Sequence, residues 1–148
     1  MTERRFASKS SEETIAFGRE IGAGLQAPVL LLLIGDLGAG KTTLTKGIVN
    51  GAGGTSEEEI TSPTFTLIHK YARPTPAGHS ASIYHIDLYR IEGAQDLATL
   101  GLDDIFDENA IVIVEWPDRM IPPAGWPVIR IDLEHIAEES RTITVRNE

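Results

Sequence analysis

The sequence contains no cysteine. That excludes disulfides, thiol catalysis, iron–sulfur clusters and cysteine zinc sites, and it suits a reducing cytosol. Positive charge is scarce. Thirteen lysines and arginines stand against 22 aspartates and glutamates, a formal net charge of −9. Polyanions are gripped by clustered basic side chains, so strong direct binding to nucleic acid is not expected. Long apolar runs are missing too. The longest, Val29 to Ile34, falls far short of the roughly 20 residues that a membrane-spanning helix needs. No apolar run follows Met1-Thr2-Glu3-Arg4-Arg5, so no secretion leader is read there and a cytoplasmic location is expected.

What remains is an ordinary globular composition. The chain has 148 residues, 41% hydrophobic and 24% charged. This fits one domain over 1–148 with enough length to bury a core. Ser10 and Glu13 have the spacing of a helix capping box, and Phe17, Ile21 and Leu25 then recur on one face, which predicts a helix over Ser10–Gln26. Val29-Leu30-Leu31-Leu32-Leu33-Ile34 is apolar on both faces, as is Ala110–Val114. Both read as central strands of a covered parallel sheet. Lys41 to about Asn50 resumes helical spacing, and Gly51-Ala52-Gly53-Gly54 ends it.

Phe65–Tyr71 and Ser82–Leu88 read as an antiparallel pair around a long connection, and Gln95–Phe106 as a short helix. Val128–Leu133 and Thr142–Val145 alternate in the manner of a closing hairpin. The acidic run Glu57-Glu58-Glu59 reads as solvated surface.

The turn after the first apolar strand carries the chemistry. Gly35-Asp36-Leu37-Gly38-Ala39-Gly40-Lys41-Thr42 matches the P-loop pattern, with strand before and helix after. Glycines let the backbone approach a phosphate. Successive amides form an anion nest, to which the start of the next helix adds its positive dipole end. Lys41 is expected to reach the β- and γ-phosphates of ATP, Thr42 to ligate Mg²⁺, and Thr43 to lie close to the α-phosphate. A lysine desolvated in such a turn is costly unless an anion sits beside it.

Such a site needs an acid at the tip of a neighbouring strand. Ile111-Val112-Ile113-Val114-Glu115 supplies one, provided that its strand runs parallel to Val29–Ile34. Asp87 ends a second strand. On the residues alone two readings are equal: a functional group that orients water, acts as a base or binds metal through water, and a structural one that pairs with Arg90 or caps a turn. Thr61-Ser62-Pro63-Thr64 reads as a turn fixed by proline. Trp116 reads as a buried tryptophan. The four histidines show no metal-ligand spacing and read as structural or surface residues.

Four motifs taken together resemble one family. They are Gly35–Thr43, Ser62-Pro63-Thr64-Phe65-Thr66-Leu67, Tyr84-His85-Ile86-Asp87-Leu88-Tyr89-Arg90 and Val114-Glu115-Trp116-Pro117. The chain, from about Ser10 to Arg141, is similar to the TsaE (YjeE) family of small ATPases in tRNA threonylcarbamoyladenosine biosynthesis. The resemblance implies an ATPase that is weak alone and acts with TsaD and TsaB on tRNAs reading codons that begin with A. It further implies that Thr42 and Glu115 hold Mg²⁺ and that Lys41 and its loop, residues Asp36 to Thr43, hold the phosphates. Asp87 would be needed for hydrolysis, Thr64 would belong to a switch near the γ-phosphate, and Trp116 would sit near the nucleotide. Thr14 and Arg141 are candidates for the adenine and ribose contacts by position only, and Arg141 reads equally well as a surface residue.

The predicted fold is α/β, a P-loop NTPase-like three-layer domain with a mostly parallel central sheet and antiparallel edge strands. Two rival readings are a P-loop small-molecule kinase and a nucleotide switch that does not hydrolyse. Arg73, Arg90, Arg119, Arg130 and Arg141 are scattered, so no paired-arginine lid supports the kinase. The guanine-specifying Asn-Lys-x-Asp element and the Leu-Ser-Gly-Gly-Gln signature are both missing.

Overall fold

A computed structural model describes residues 3–36, 38–54, 68–74, 80–88, 105–106, 109–117 and 120–147. Within them the chain runs β1 (Glu3–Ser8), α1 (Ser11–Ala23), β2 (Val29–Ile34), α2 (Lys41–Gly51), β3 (Ile68–Pro74), β4 (Ser80–Asp87), β5 (Ala110–Glu115), β6 (Val128–Ala137) and β7 (Ser140–Asn147). The seven strands form one mixed sheet in the order β1-β7-β6-β2-β5-β4-β3. β6, β2, β5 and β4 are mutually parallel; β3 and β7 run antiparallel to them on either side, and β1 pairs antiparallel with β7 at the outer edge.

The two wholly apolar runs are the two central strands, β2 and β5. Each is covered on both faces, so neither shows the alternation of a half-exposed strand. Leu31 and Leu33 of β2 join Ile111 and Ile113 of β5 on the face that packs against Phe17, Leu44 and Ile48 of the two helices. Leu30, Val112 and Val114 point to the other face, with Leu88, Ile105 and Met120. A fully buried aliphatic side chain contributes about 1.5–3 kcal/mol relative to exposure, so this double-sided packing is what fixes the register. Of the described helices, both lie on the first face. The predicted helix over Gln95–Phe106 lies almost wholly outside the described residues, as does the run Glu57–Glu59.

Two details depart from expectation. The stretch Glu3–Ser8, in which no strand was predicted, is β1, and it pairs antiparallel with β7 from Glu3↔Arg146 to Ser8↔Arg141. The first helix stops at Ala23, capped by Gly24, rather than continuing to Gln26. Its start is as predicted, since the Ser10 side chain accepts from the Glu13 amide at 3.1 Å. No helix of the described residues is long and apolar enough to cross a membrane.

The helices cross at near backbone contact. A Cβ added to Gly47 would stand 2.1 Å from the Ile15 carbonyl oxygen. Backbone cannot give way as a side-chain end can, so Gly47→Ala must push α1 off α2. The expected cost is about 1–3 kcal/mol, the usual penalty of overpacking. It should appear as a lower urea midpoint; an unchanged midpoint would show that the helices are not locked at this crossing. The crossing matters for function because α2 begins at the glycine-rich turn.

Candidate functional site

The turn between β2 and α2 is built from its glycines. Gly40 has φ +101° and Gly38 φ +81°, conformations that side chains with a Cβ resist. Ala39 is buried and its amide donates to the Asp36 carbonyl at 3.0 Å. Asp36 and Gly38 are exposed, and Leu37 lies outside the described residues. Helix α2 starts at Gly40 with no side-chain cap, unlike α1. Its first intrahelical bond runs from the Leu44 amide to the Gly40 carbonyl at 2.9 Å. The amides of Lys41, Thr42 and Thr43 precede that bond and have no intrahelical acceptor. Thr42 and Thr43 are half-buried in this first turn.

Lys41 is only 4% exposed. Its Nζ donates to the Gly35 carbonyl at 2.6 Å and lies 3.7 Å from the centre of the Trp116 ring. A buried ammonium is costly unless it is compensated. A neutral carbonyl and a π face provide some of that compensation, the latter about 2 kcal/mol when desolvated. The arrangement holds a buried cation at the C-terminal end of β2. Trp116 reaches it through a left-handed backbone, φ +61°, at a strain on the order of 1–3 kcal/mol.

The second acidic element converges on the same place. β2 and β5 are parallel, with Leu33 opposite Glu115, as the metal assignment required. β4 is the next parallel strand, and Asp87 is the Cα partner of Glu115. The Leu88 amide donates to the Glu115 carbonyl at 3.1 Å, which ties the two strand tips together. Glu115 is 3% exposed and Asp87 half-buried. The glycine-rich turn, Glu115, Trp116 and Asp87 thus lie at the C-terminal ends of the neighbouring strands β2, β5 and β4. A cleft of about 490 Å³ opens at the end of β2, lined among others by Gly35, Asp36, Lys41, Trp116 and Arg130; Glu115 and Asp87 are not part of its lining.

Arg141 is brought to the loop. A Cβ on Gly40 would approach its Nε to 3.3 Å, and its guanidinium donates to the Glu138 carbonyl at 2.9 Å. Thr14 lies near the start of α1, and its hydroxyl is engaged there. It shares a hydrogen bond of 2.7 Å with Ser8 and donates to the Ser10 carbonyl at 3.2 Å. Thr64 lies outside the described residues, together with the rest of Ser62–Leu67.

One residue of this site escaped the sequence reading. His85 is fully buried, and its Nε2 donates to Glu115 Oε2. It sits one β-repeat before Asp87 on the same face of β4, so only the β4–β5 pairing reveals that it reaches Glu115. Next to it on β3, His69 is the Cα partner of His85 and shares a 3.3 Å hydrogen bond with the Tyr71 hydroxyl. Burial, and then the neighbouring His85, hold the His69 pKa below its usual value. Burial pushes Tyr71 up.

Comparison with known proteins bears on this geometry. A family model described as "Threonylcarbamoyl adenosine biosynthesis protein TsaE" matches residues 8–143. The chain belongs to the TsaE family. Among relatives named tRNA threonylcarbamoyladenosine biosynthesis protein TsaE, that of Treponema pallidum (strain Nichols) is 33% identical over 142 residues, covering 95% of this chain and 98% of the relative. The TsaE of Bacillus subtilis (strain 168) is 33% identical over 144 residues, covering 97% and 85%. A crystal structure of Bacillus subtilis YdiB superposes with a TM-score of 0.67 at 30% identity, covering 97% of this chain and 84% of that one.

Among the described residues no three His, Cys, Asp or Glu side chains cluster as a metal cage. Mg²⁺ does not need one, because it is commonly held by one or two carboxylates together with substrate phosphates and water. A hydroxyl (Thr42) and a carboxylate (Glu115) are hard oxygen donors, and the residues fit that ion.

Proposed function

We propose that this TsaE family member is a P-loop NTPase-fold, Mg²⁺-dependent ATPase, slow alone and stimulated by TsaD and TsaB homologues, that serves threonylcarbamoyladenosine formation at position 37 of tRNAs reading codons that begin with A. The observation that carries the reading is Lys41. A buried ammonium held between a carbonyl and an indole, at the uncapped start of α2, has the chemistry of a phosphate receptor. The names of the relatives supply the pathway.

In this reading the amides of Gly38 to Thr43 and the Lys41 ammonium hold the β- and γ-phosphates. The Thr42 hydroxyl and the Glu115 carboxylate hold Mg²⁺, which when bound supplies charge neutralisation at the phosphate oxygens. Asp87, beside Glu115 on the next strand, orients the attacking water and accepts its proton. Arg141, against Gly40, contacts the phosphate end of the nucleotide, and Thr64 completes the γ-phosphate side. Little covalent chemistry falls to the protein in such a transfer, and positioning does most of the work. A site completed only when partners dock is accordingly slow in isolation.

The test is phosphate release from ATP and Mg²⁺ by the chain alone, with each partner, and with both. A slow basal rate that rises when TsaD and TsaB homologues are added is expected. Release that stays at background with both present would leave a nucleotide switch, and a phosphorylated metabolite would leave a kinase.

A further inference from the structure

We infer that His85 is a positioning residue for Glu115: its imidazole fixes which carboxylate oxygen is offered to the phosphate crevice, and so sets the affinity of the site for a divalent cation. The inference rests on the metal role proposed for Glu115 and adds a residue to it.

An ionised carboxylate only accepts hydrogen bonds, so in the contact between His85 Nε2 and Glu115 Oε2 the proton is on the nitrogen. Nδ1 is buried and has no hydrogen-bond partner among the described residues, so the contact to Glu115 is the one hydrogen bond seen for this ring there.

Position gives the second part. His85 is opposite Ile113, one repeat deeper in the sheet than the Asp87–Glu115 pair. The ring therefore reaches up from beneath the site. It occupies Oε2 and leaves Oε1 as the oxygen for a cation. His85 is 0% exposed, and β4 is bonded on both sides, to β3 and β5, so the donor cannot swing away. A glutamate is a flexible ligand; here its orientation is set by the sheet. Groups that orient metal ligands in this way typically carry 10–100-fold in metal affinity. A histidine buried only for packing would carry none, because a leucine could fill its place.

The test uses Mn²⁺ as the probe. Free Mn²⁺ is measured by electron paramagnetic resonance while the full chain is titrated in the presence of a non-hydrolysable ATP analogue. Binding of the same analogue is measured separately in EDTA. The variants are His85→Leu, His85→Asn, His85→Gln and Glu115→Gln. The Leu variant lacks a donor and the Asn amide is too short to reach Glu115, so each should weaken Mn²⁺ binding by roughly 10–100-fold. Both should leave analogue binding in EDTA unchanged. The Gln amide nitrogen can occupy the place of Nε2, so that variant should keep most of the affinity. If the Leu variant does not fold, the Asn and Gln pair decides. Parent-like Mn²⁺ binding in the Leu and Asn variants, with weak binding in Glu115→Gln, would overturn the role of His85 alone. Equal losses in Asn and Gln would also overturn it. Parent-like binding in Glu115→Gln would remove the metal role of Glu115, and this inference with it.

Discussion

Lys41→Ala should lose ATP by at least about 2 kcal/mol, a factor of roughly 30, and by as much as 5 kcal/mol, because truncating one side of a buried, hydrogen-bonded charge pair costs that much. The expectation follows from where the ammonium is. It is 4% exposed and already desolvated, so the cost of burying it is met in the fold and does not subtract from binding. Its Nζ is 2.6 Å from the Gly35 carbonyl and 3.7 Å from the centre of the Trp116 ring, and an anionic phosphate oxygen is a stronger partner than either of these. The loss should appear in calorimetry with ATP and Mg²⁺. Because the substitution also removes a buried cation from Trp116, thermal unfolding should be recorded alongside, and the variant should remain folded. Unchanged ATP affinity in folded Lys41→Ala protein would remove the phosphate cradle.

Asp87→Asn separates binding from chemistry. The change keeps the shape of the side chain and deletes its charge and its basicity. Asp87 pairs across the strands with Glu115 and is half-buried beside it, so two acidic residues stand side by side at adjacent strand tips. The one next to the phosphate loop on β5 is proposed to hold the metal, and the outer one on β4 to orient water. General-base assistance is typically worth 10²–10⁴-fold in rate. Partner-stimulated phosphate release should therefore fall by about that factor, while calorimetric affinity for ATP changes little. Full turnover in the Asn variant would exclude Asp87 from the mechanism. A collapse of binding instead would place its charge among the metal ligands.

How much was legible in the chain follows from how local each feature is. β2 and β5 announce themselves because a strand covered on both faces must be apolar throughout. The turn at 35–42 is legible because the P-loop pattern it matches sets particular residues at fixed spacing, and Gly38 and Gly40 take the positive φ that such a turn asks of glycine. The alternation in β6 and β7 reflects the face turned to the core, where Ile131, Leu133 and Ile143 point inward.

Features fixed by distant pairing were hidden. β1 is a charged, largely exposed edge, Glu3-Arg4-Arg5-Phe6-Ala7-Ser8, with no apolar period of its own. Its strand character comes from β7, at the opposite end of the chain. The contact of His85 with Glu115 spans 30 residues and depends on which strands are neighbours, which no single motif reveals. The placement of Lys41 over Trp116 needs the left-handed turn at residue 116, a conformation that the identity of a tryptophan argues against. Arg141 was a candidate by position alone, and the fold brings it against Gly40. Thr14 shared that status, and its hydroxyl is engaged with Ser8 and Ser10.

The most direct test of the central claim is an amide-resolved ¹⁵N–¹H spectrum of the chain titrated with ATP and Mg²⁺. The phosphate cradle predicts that the largest shifts fall on Gly38, Gly40, Lys41 and Thr42, with a further set at Glu115 and Trp116. Saturation with those amides unmoved, and the shifts gathered elsewhere on the sheet, would contradict it.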